Sequence, residues 1–269
     1  MNFPRILVSL ALSTAMFGQM RDNQEKQLKC DNGYDTRARR CEIREQSTSA
    51  VGLLDLDAGT NGGATVKGWS RNEVLVRTRV EGYGDTESDA QTMLSQVLIE
   101  VSGGHVQARG PQSTNQAGGN HSGWSTSFEI FVPQSTSVTV KTRNGGIAIS
   151  DVRGNLKFET TNGGINLSRL AGEVTASTTN GGVNLELIGT TWEGNQIDVT
   201  TRNGGVSLSL PSNYSAHFQT ETQNGSLRSD FPLNIREERQ SRNHDFTTGG
   251  GGPVIRVKTT NGGVTLKRT

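Results

Sequence analysis

Neither sign of charge prevails in this chain: 27 Lys and Arg stand against 26 Asp and Glu, a formal net charge of +1. Without a basic excess there is no general electrostatic reason to expect nucleic acid or an anionic membrane as partner. Aromatic residues make up only 5% of the sequence and hydrophobic residues 31%, so any core must be thin. No apolar run approaches the ~20 residues of a membrane-crossing helix, and no transmembrane span is expected. Catalytic signatures are missing as well. There is no Gly-x-Ser-x-Gly elbow, no His-Glu-x-x-His helix and no Walker loop, and the glycine runs do not follow the dinucleotide-binding pattern. The histidines, His105, His121, His217 and His244, are scattered, with His121 and His244 expected in surface loops.

Cysteine is limited to Cys30 and Cys41. A nearby even pair suggests one disulfide closing a small loop, provided the protein is exported. Two thiols without a neighbouring histidine make a poor zinc site. Leu28 and Lys29 are not the small residues that precede a lipid-modified cysteine. Export is expected from the N-terminus. Arg5, the apolar run Ile6 to Leu12 and the small residues Ser13 and Ala15 have the order of a secretory signal over residues 1–18. Cleavage after Ala15 fits best, with Gly18 the alternative. Residues 19–49 read as a polar leader carrying the Cys30–Cys41 loop.

What the chain has in quantity is glycine, 34 residues, and a unit that reuses it. Asn-Gly-Gly occurs at Asn61, Asn144, Asn162, Asn180, Asn203 and Asn261, with a degenerate Asn-Gly-Ser at Asn224. Two residues before the asparagine stands a threonine: Thr142, Thr160, Thr178, Thr201, Thr222 and Thr259. Six before it stand Val138, Leu156, Val174, Ile197, Phe218 and Ile255; three after it, Ile147, Ile165, Val183, Val206, Leu227 and Val264. Equal parity on each side of the turn places these columns on one face of a strand. The intervening polar residues form a solvated face.

Corners recur 18, 18, 23, 21 and 37 residues apart from Asn144 onward. Near-equal periods and equivalent columns predict an all-β fold, a right-handed parallel β-solenoid over residues 134–269. Stacked asparagines and threonines would hydrogen-bond along its axis. Gly145, Gly163, Gly181, Gly204 and Gly262 would supply positive φ at the corners. A meander or sandwich of hairpins is the competing architecture, because Asn-Gly is also a hairpin turn. These asparagines and glycines are therefore read as structural rather than as ligand-binding.

Residues 50–133 predict strands and one helix that cap an end of the coil. The helix lies between Thr86 and Val97, where Ala90, Met93, Leu94 and Val97 share a stripe. The charged C-terminus, Lys267 to Thr269, would protect the other end from edge pairing. No metal or cofactor is expected, since the repeats lack the aspartate column that calcium-binding nonapeptides use. A β-helix enzyme would need clustered charges on one face. Lys141, Glu159, Glu221 and Lys258 form such a row, with Arg143 and Arg202 nearby, but mixed charge there reads as cross-strand pairing. Among Trp69, Trp124 and Trp192, only Trp192 looks free to stack on a sugar.

The order of features resembles a bacterial putative-adhesin family of β-strand-repeat domains of unknown function. It begins with a Gly-x-x-Val-x-Gly-Trp strand, here Gly63 to Trp69, then Asn72 to Val76, a short helix, and a strand ending at Val132-Pro133. Thr-x-Asn-Gly turns follow, then Ser229 to Leu233 and a glycine-rich loop before the final turn. The match covers about residues 50–269. It implies an exported, non-enzymatic protein of the periplasm, cell surface or medium that meets an unknown envelope or surface component, glycan or protein. An envelope-stress regulatory or sensor module is the alternative, and a glycan-active β-helix enzyme the second alternative.

Overall fold

The computed structural model describes residues 28–30, 37–115, 121–233 and 242–269. The expected signal over residues 1–18, the leader to residue 27 and loop residues 31–36 lie outside the described residues. Among the described residues the fold is all-β with a single short helix. The N-terminal elements are β1 (Ala38–Ser49), β2 (Leu53–Asp57), β3 (Gly62–Trp69), β4 (Glu73–Gly84), α1 (Glu87–Gln96), β5 (Leu98–Ser102), β6 (His105–Arg109), β7 (Thr114–Asn115) and β8 (His121–Pro133). Strand pairs joined by Asn-Gly corners follow. They are β9 (Ser137–Asn144) with β10 (Ile147–Ser150), β11 (Arg153–Asn162) with β12 (Ile165–Ser168), and β13 (Ala171–Asn180) with β14 (Val183–Glu186). Next are β15 (Gln196–Asn203) with β16 (Val206–Leu210), and β17 (Ala216–Asn224) with β18 (Leu227–Ser229). The lone β19 (Asn243–Thr248) precedes β20 (Val254–Asn261) with β21 (Val264–Arg268).

In each of these pairs the strand before the corner lies in one sheet and the strand after it in the other. The first sheet runs β1-β4-β8-β3-β10-β12-β14-β16-β21-β18, with β7 beside β8. The second runs β19-β17-β20-β15-β13-β11-β9-β2-β6-β5. Coils pair in parallel and in the register of the repeat: Leu156 lies against Val174, Thr160 against Thr178 and Asn162 against Asn180. Val138, Leu156, Val174, Ile197, Ile255 and Phe218 face Ile147, Ile165, Val183, Val206 and Val264 in one dry core, each buried. Antiparallel pairing is confined to the ends, in β8-β4-β1, β5-β6 and β17-β19. The first sheet nevertheless ends in a parallel pair, β21-β18.

Helix α1 starts at a capping box. The Thr86 hydroxyl accepts from the Asp89 N–H, and the Asp89 carboxylate accepts from the Thr86 N–H. Of its apolar stripe, Leu94 and the following Val97 pack on Val80, and Ala90 is fully buried.

Several expectations are corrected. The coil begins before residue 134: β2 and β3, joined around Asn61, pair in parallel with β9 and β10 and form a coil of their own. Residues 38–49 are not leader but the strand β1. Apolar periodicity could not reveal it, because charge pairing ties it down. Arg39 meets Glu81, Arg77 Nε lies 2.7 Å from Glu45, and the Arg44 guanidinium donates to the carbonyls of Leu94 and Val97 at the end of α1. Cys41, on β1, is disulfide-bonded to Cys30 with Cα atoms 5.7 Å apart. His121 begins β8 and His244 lies in β19, so neither stands in a loop.

The order of the coils also differs from chain order. The last pair, β20–β21, lies between β15–β16 and β17–β18. Lys267 and Arg268 therefore belong to an internal strand. The far end is instead closed by β19 and by Phe231, which is buried under the Arg268 guanidinium.

Candidate functional site

The corners come first, because they hold everything else in register. Seven asparagines form one hydrogen-bonded column. The amide of Asn144 donates to Asn61 (3.1 Å), Asn162 to Asn144, Asn180 to Asn162, Asn203 to Asn180, Asn261 to Asn203 and Asn224 to Asn261 (2.8 Å). The threonines do not bond to one another. Each hydroxyl donates to a glycine carbonyl of the adjoining coil: Thr142 to Gly62, Thr160 to Gly145, Thr178 to Gly163, Thr201 to Gly181, Thr259 to Gly204 and Thr222 to Gly262.

The expected positive φ at the corner glycines is not found. Positive φ belongs to other residues, among them Asp151 and Arg169 at the opposite corner. Glycine is required at Gly163 and Gly181 because a Cβ there would overlap the carbonyl oxygen of the previous coil's corner glycine. Close stacking, not turn geometry, selects the residue.

The two outer faces differ in kind. On the second sheet the outward row carries long charged side chains in pairs: Lys141 beside Glu159 in register, and Lys258 Nζ 3.0 Å from Glu221. The suspected charge row thus splits into pairs, separated by Ser177 and Thr200. On the first sheet the outward residues after each corner are small: Ala148 and Ser150, Asn166 and Ser168, Asn184 above Asn166 (2.8 Å), and Ser207 and Ser209. This floor forms a shallow groove of about 450 Å³ lined also by Thr65, Lys67, Glu186 and Lys267.

At its N-terminal end the floor meets a wall of large side chains. Trp69 stacks on Phe131 with ring centroids 5.2 Å apart, and the Arg71 guanidinium sits 4.9 Å from the Trp69 ring centre. Lys67 and Arg77 lie over Phe131, and Glu129 is buried beside them, 3.2 Å from Lys67 Nζ. Lys67, Trp69, Arg71, Arg77 and Phe131, with Ser150, Asp151 and Arg169, line a pocket of about 520 Å³ that shares Lys67 and Ser150 with the floor. Both regions present donors and acceptors on a rigid sheet. Such an arrangement can hold a polar ligand.

Asp151 and Arg169 occupy matching corners of successive coils, with φ of 61° and 52°. Arg169 Nε and a terminal nitrogen lie 2.6 and 2.7 Å from the Asp151 carboxylate. That hydrogen bonding holds the Asp151 carboxyl below its ordinary range, against the opposing effect of burial. A carboxyl with a depressed folded pKa stabilises above its unfolded value of about 3.9 and loses that contribution as pH falls through the folded value. Asp151→Asn, which keeps a residue tolerant of positive φ, should cost below about 1 kcal/mol near neutral pH, because the pair is partly exposed. Urea unfolding of both proteins should show the difference vanish at low pH; a constant difference would contradict the pairing.

Trp192 corrects another expectation. Its ring is 5% exposed and its N–H donates to the Gly172 carbonyl at 2.9 Å, so it packs rather than binds. Trp69, at the end of β3, is the tryptophan at the groove. The floor itself went unnoticed in the sequence, although a signal existed: from Ala148 to Ser209 the outward residues after the corners are small except at Glu186. Among the described residues no group of three or more His, Cys, Asp or Glu could hold a metal ion. Nor is any helix among them long and apolar enough to cross a membrane.

Residues 90–267 match the model of a family described as Toastrack DUF4097. No curated protein matches the chain. Among solved structures it is similar to a putative cell adhesion protein from Clostridium sporogenes ATCC 15579. The two share 13% identity at a TM-score of 0.42, over 85% of this chain and 100% of the other. It is also similar to a putative adhesin from Bacteroides fragilis NCTC 9343, with 12% identity and a TM-score of 0.41, over 85% of this chain and 97% of that one.

Proposed function

We propose that this chain, which belongs to the Toastrack DUF4097 family, is an exported, non-enzymatic, adhesin-like protein that binds a cell-envelope or surface component on its first sheet. The observation that carries this reading is the floor, a surface rich in small hydroxyl and amide side chains held in register by the corners. A face of this kind offers many weak, parallel contacts, which suit an extended repetitive partner. The Cys30–Cys41 disulfide supports export, since disulfides persist in oxidising compartments. The winding is taken as right-handed, the hand that β-crossover-β connections adopt.

Isolated cell envelopes, mixed with the purified full chain and sedimented, should retain it. Ser168→Tyr, which fills the floor with a residue that strands accept, should release it. Retention of this variant would refute the floor as the binding face. Turnover of any envelope glycan would refute the non-enzymatic reading, and recovery in the cytoplasmic fraction would refute export.

A further inference from the structure

The geometry points to a neutral saccharide chain as the ligand of this groove, with one ring seated at the wall against Trp69 and the chain running over the floor. The inference rests on the proposed function above and names its ligand class.

Charge is the first discriminant. Every cation at the wall already faces a carboxylate: Lys67 with Glu129 (3.2 Å), Arg77 with Glu45 (2.7 Å), Arg71 with Glu73 (3.5 Å) and Arg169 with Asp151 (2.6 Å). A phosphate or uronate would have to compete with these partners. A sugar hydroxyl would not, because it donates and accepts at once and can add to the remaining N–H groups and lone pairs.

The aromatic is the second. Arg71 covers a face of Trp69 and its side chain is 68% exposed. An exposed cation–π contact is weak, so the apolar face of a pyranose ring can replace the guanidinium there. The floor is the third. Its outward hydroxyls and amides repeat from coil to coil at the strand spacing of about 4.8 Å, and the Asn166–Asn184 pair keeps its amides aligned. A peptide strand finds less here, because the backbone groups of this face are already paired within the sheet.

The full chain should be titrated with maltoheptaose, cellohexaose and chitohexaose, and separately with polygalacturonate and polyphosphate, following heat and tryptophan fluorescence. At least one neutral oligosaccharide is expected to bind. Trp69→Ala and Ser168→Tyr should each weaken it tenfold or more, while Arg71→Ala, which uncovers the Trp69 face, should tighten it and Lys157→Ser on the opposite sheet changes nothing. Ser168→Tyr guards against misfolding of Trp69→Ala, since it alters only an outward position. The inference is overturned if no neutral oligosaccharide binds, if binding survives both variants, or if only the polyanions bind in a salt-sensitive manner. Loss of envelope retention in Ser168→Tyr without any saccharide binding would overturn the ligand class and leave the floor standing. Retention of that variant by envelopes would remove the floor itself.

Discussion

A chain ending at Gly252 is expected to lose cooperative folding of its C-terminal half, and not merely one coil. In a solenoid stacked in chain order, cutting off the last unit leaves a shorter but intact array. Here the removed strands lie inside. Deletion of β20–β21 strips Ile255, Val257, Val264 and Leu266 from the core, all fully buried. At about 1.5–3 kcal/mol for each buried aliphatic side chain, the loss is roughly 6–12 kcal/mol. That is comparable with the whole stability of a domain, ~5–15 kcal/mol.

It also separates Asn203 from Asn224 and leaves β17 and β18 without their parallel neighbours, with β19 attached only to β17. Limited proteolysis should cut the truncated chain within residues 204–252 while sparing the coils before Asn180. A synthetic peptide of residues 253–269 should restore protection. Resistance of the truncated chain equal to that of the full protein would show that β20–β21 is dispensable.

Replacement of Gly181 by valine should be the most damaging point change at a corner. The added Cβ would meet the Gly163 carbonyl oxygen, a backbone atom that cannot swing aside. Either the coils separate, breaking the Gly163 N–H bond to the Asn180 carbonyl and the Thr178 bond to the Gly163 carbonyl, or the strand slips in register. A loss of about 4 kcal/mol belongs to this class of change, roughly 10 °C in melting temperature for a chain of this size. Gly250→Ala, where an added Cβ meets nothing, serves as the neutral control. Gly181→Asn separates the two explanations of the corner. Asparagine relieves a positive-φ requirement but still carries the Cβ, so it should be nearly as harmful as valine. A mild effect would restore the turn-conformation reading.

The local unit was legible in the sequence because burial imposes parity. Val140, Phe158 and Ala176 had to share a face, and Thr142, Thr160 and Thr178 had to lie inward beside the corner. Neighbour order was not legible. Chain spacing measures how much sequence separates two corners, not which corners touch, and the interval between Asn224 and Asn261 was long enough for the chain to leave and return. Strand β1 escaped notice because Arg39, Arg44 and Glu45 hold it by charge, which leaves no apolar period. The groove is a relation between strands far apart in sequence. Trp69 and Ser150 border one pocket, yet nothing local in either segment announces the other.

The asparagine column has one further property, direction. Every amide donates toward Asn61 and accepts from the side of Asn224. The side-chain dipoles therefore align head to tail, and each bond polarises the next. Asn61 ends the column with an N–H group not used in it, and Asn224 ends it with a carbonyl oxygen not used in it. The stack thus carries an electrical polarity along its axis that comes from side chains rather than from a helix. Turning a single amide around would break two bonds at once. One edge of the molecule is therefore a polarised wire, with its positive end at the cap and its negative end where the last coils close.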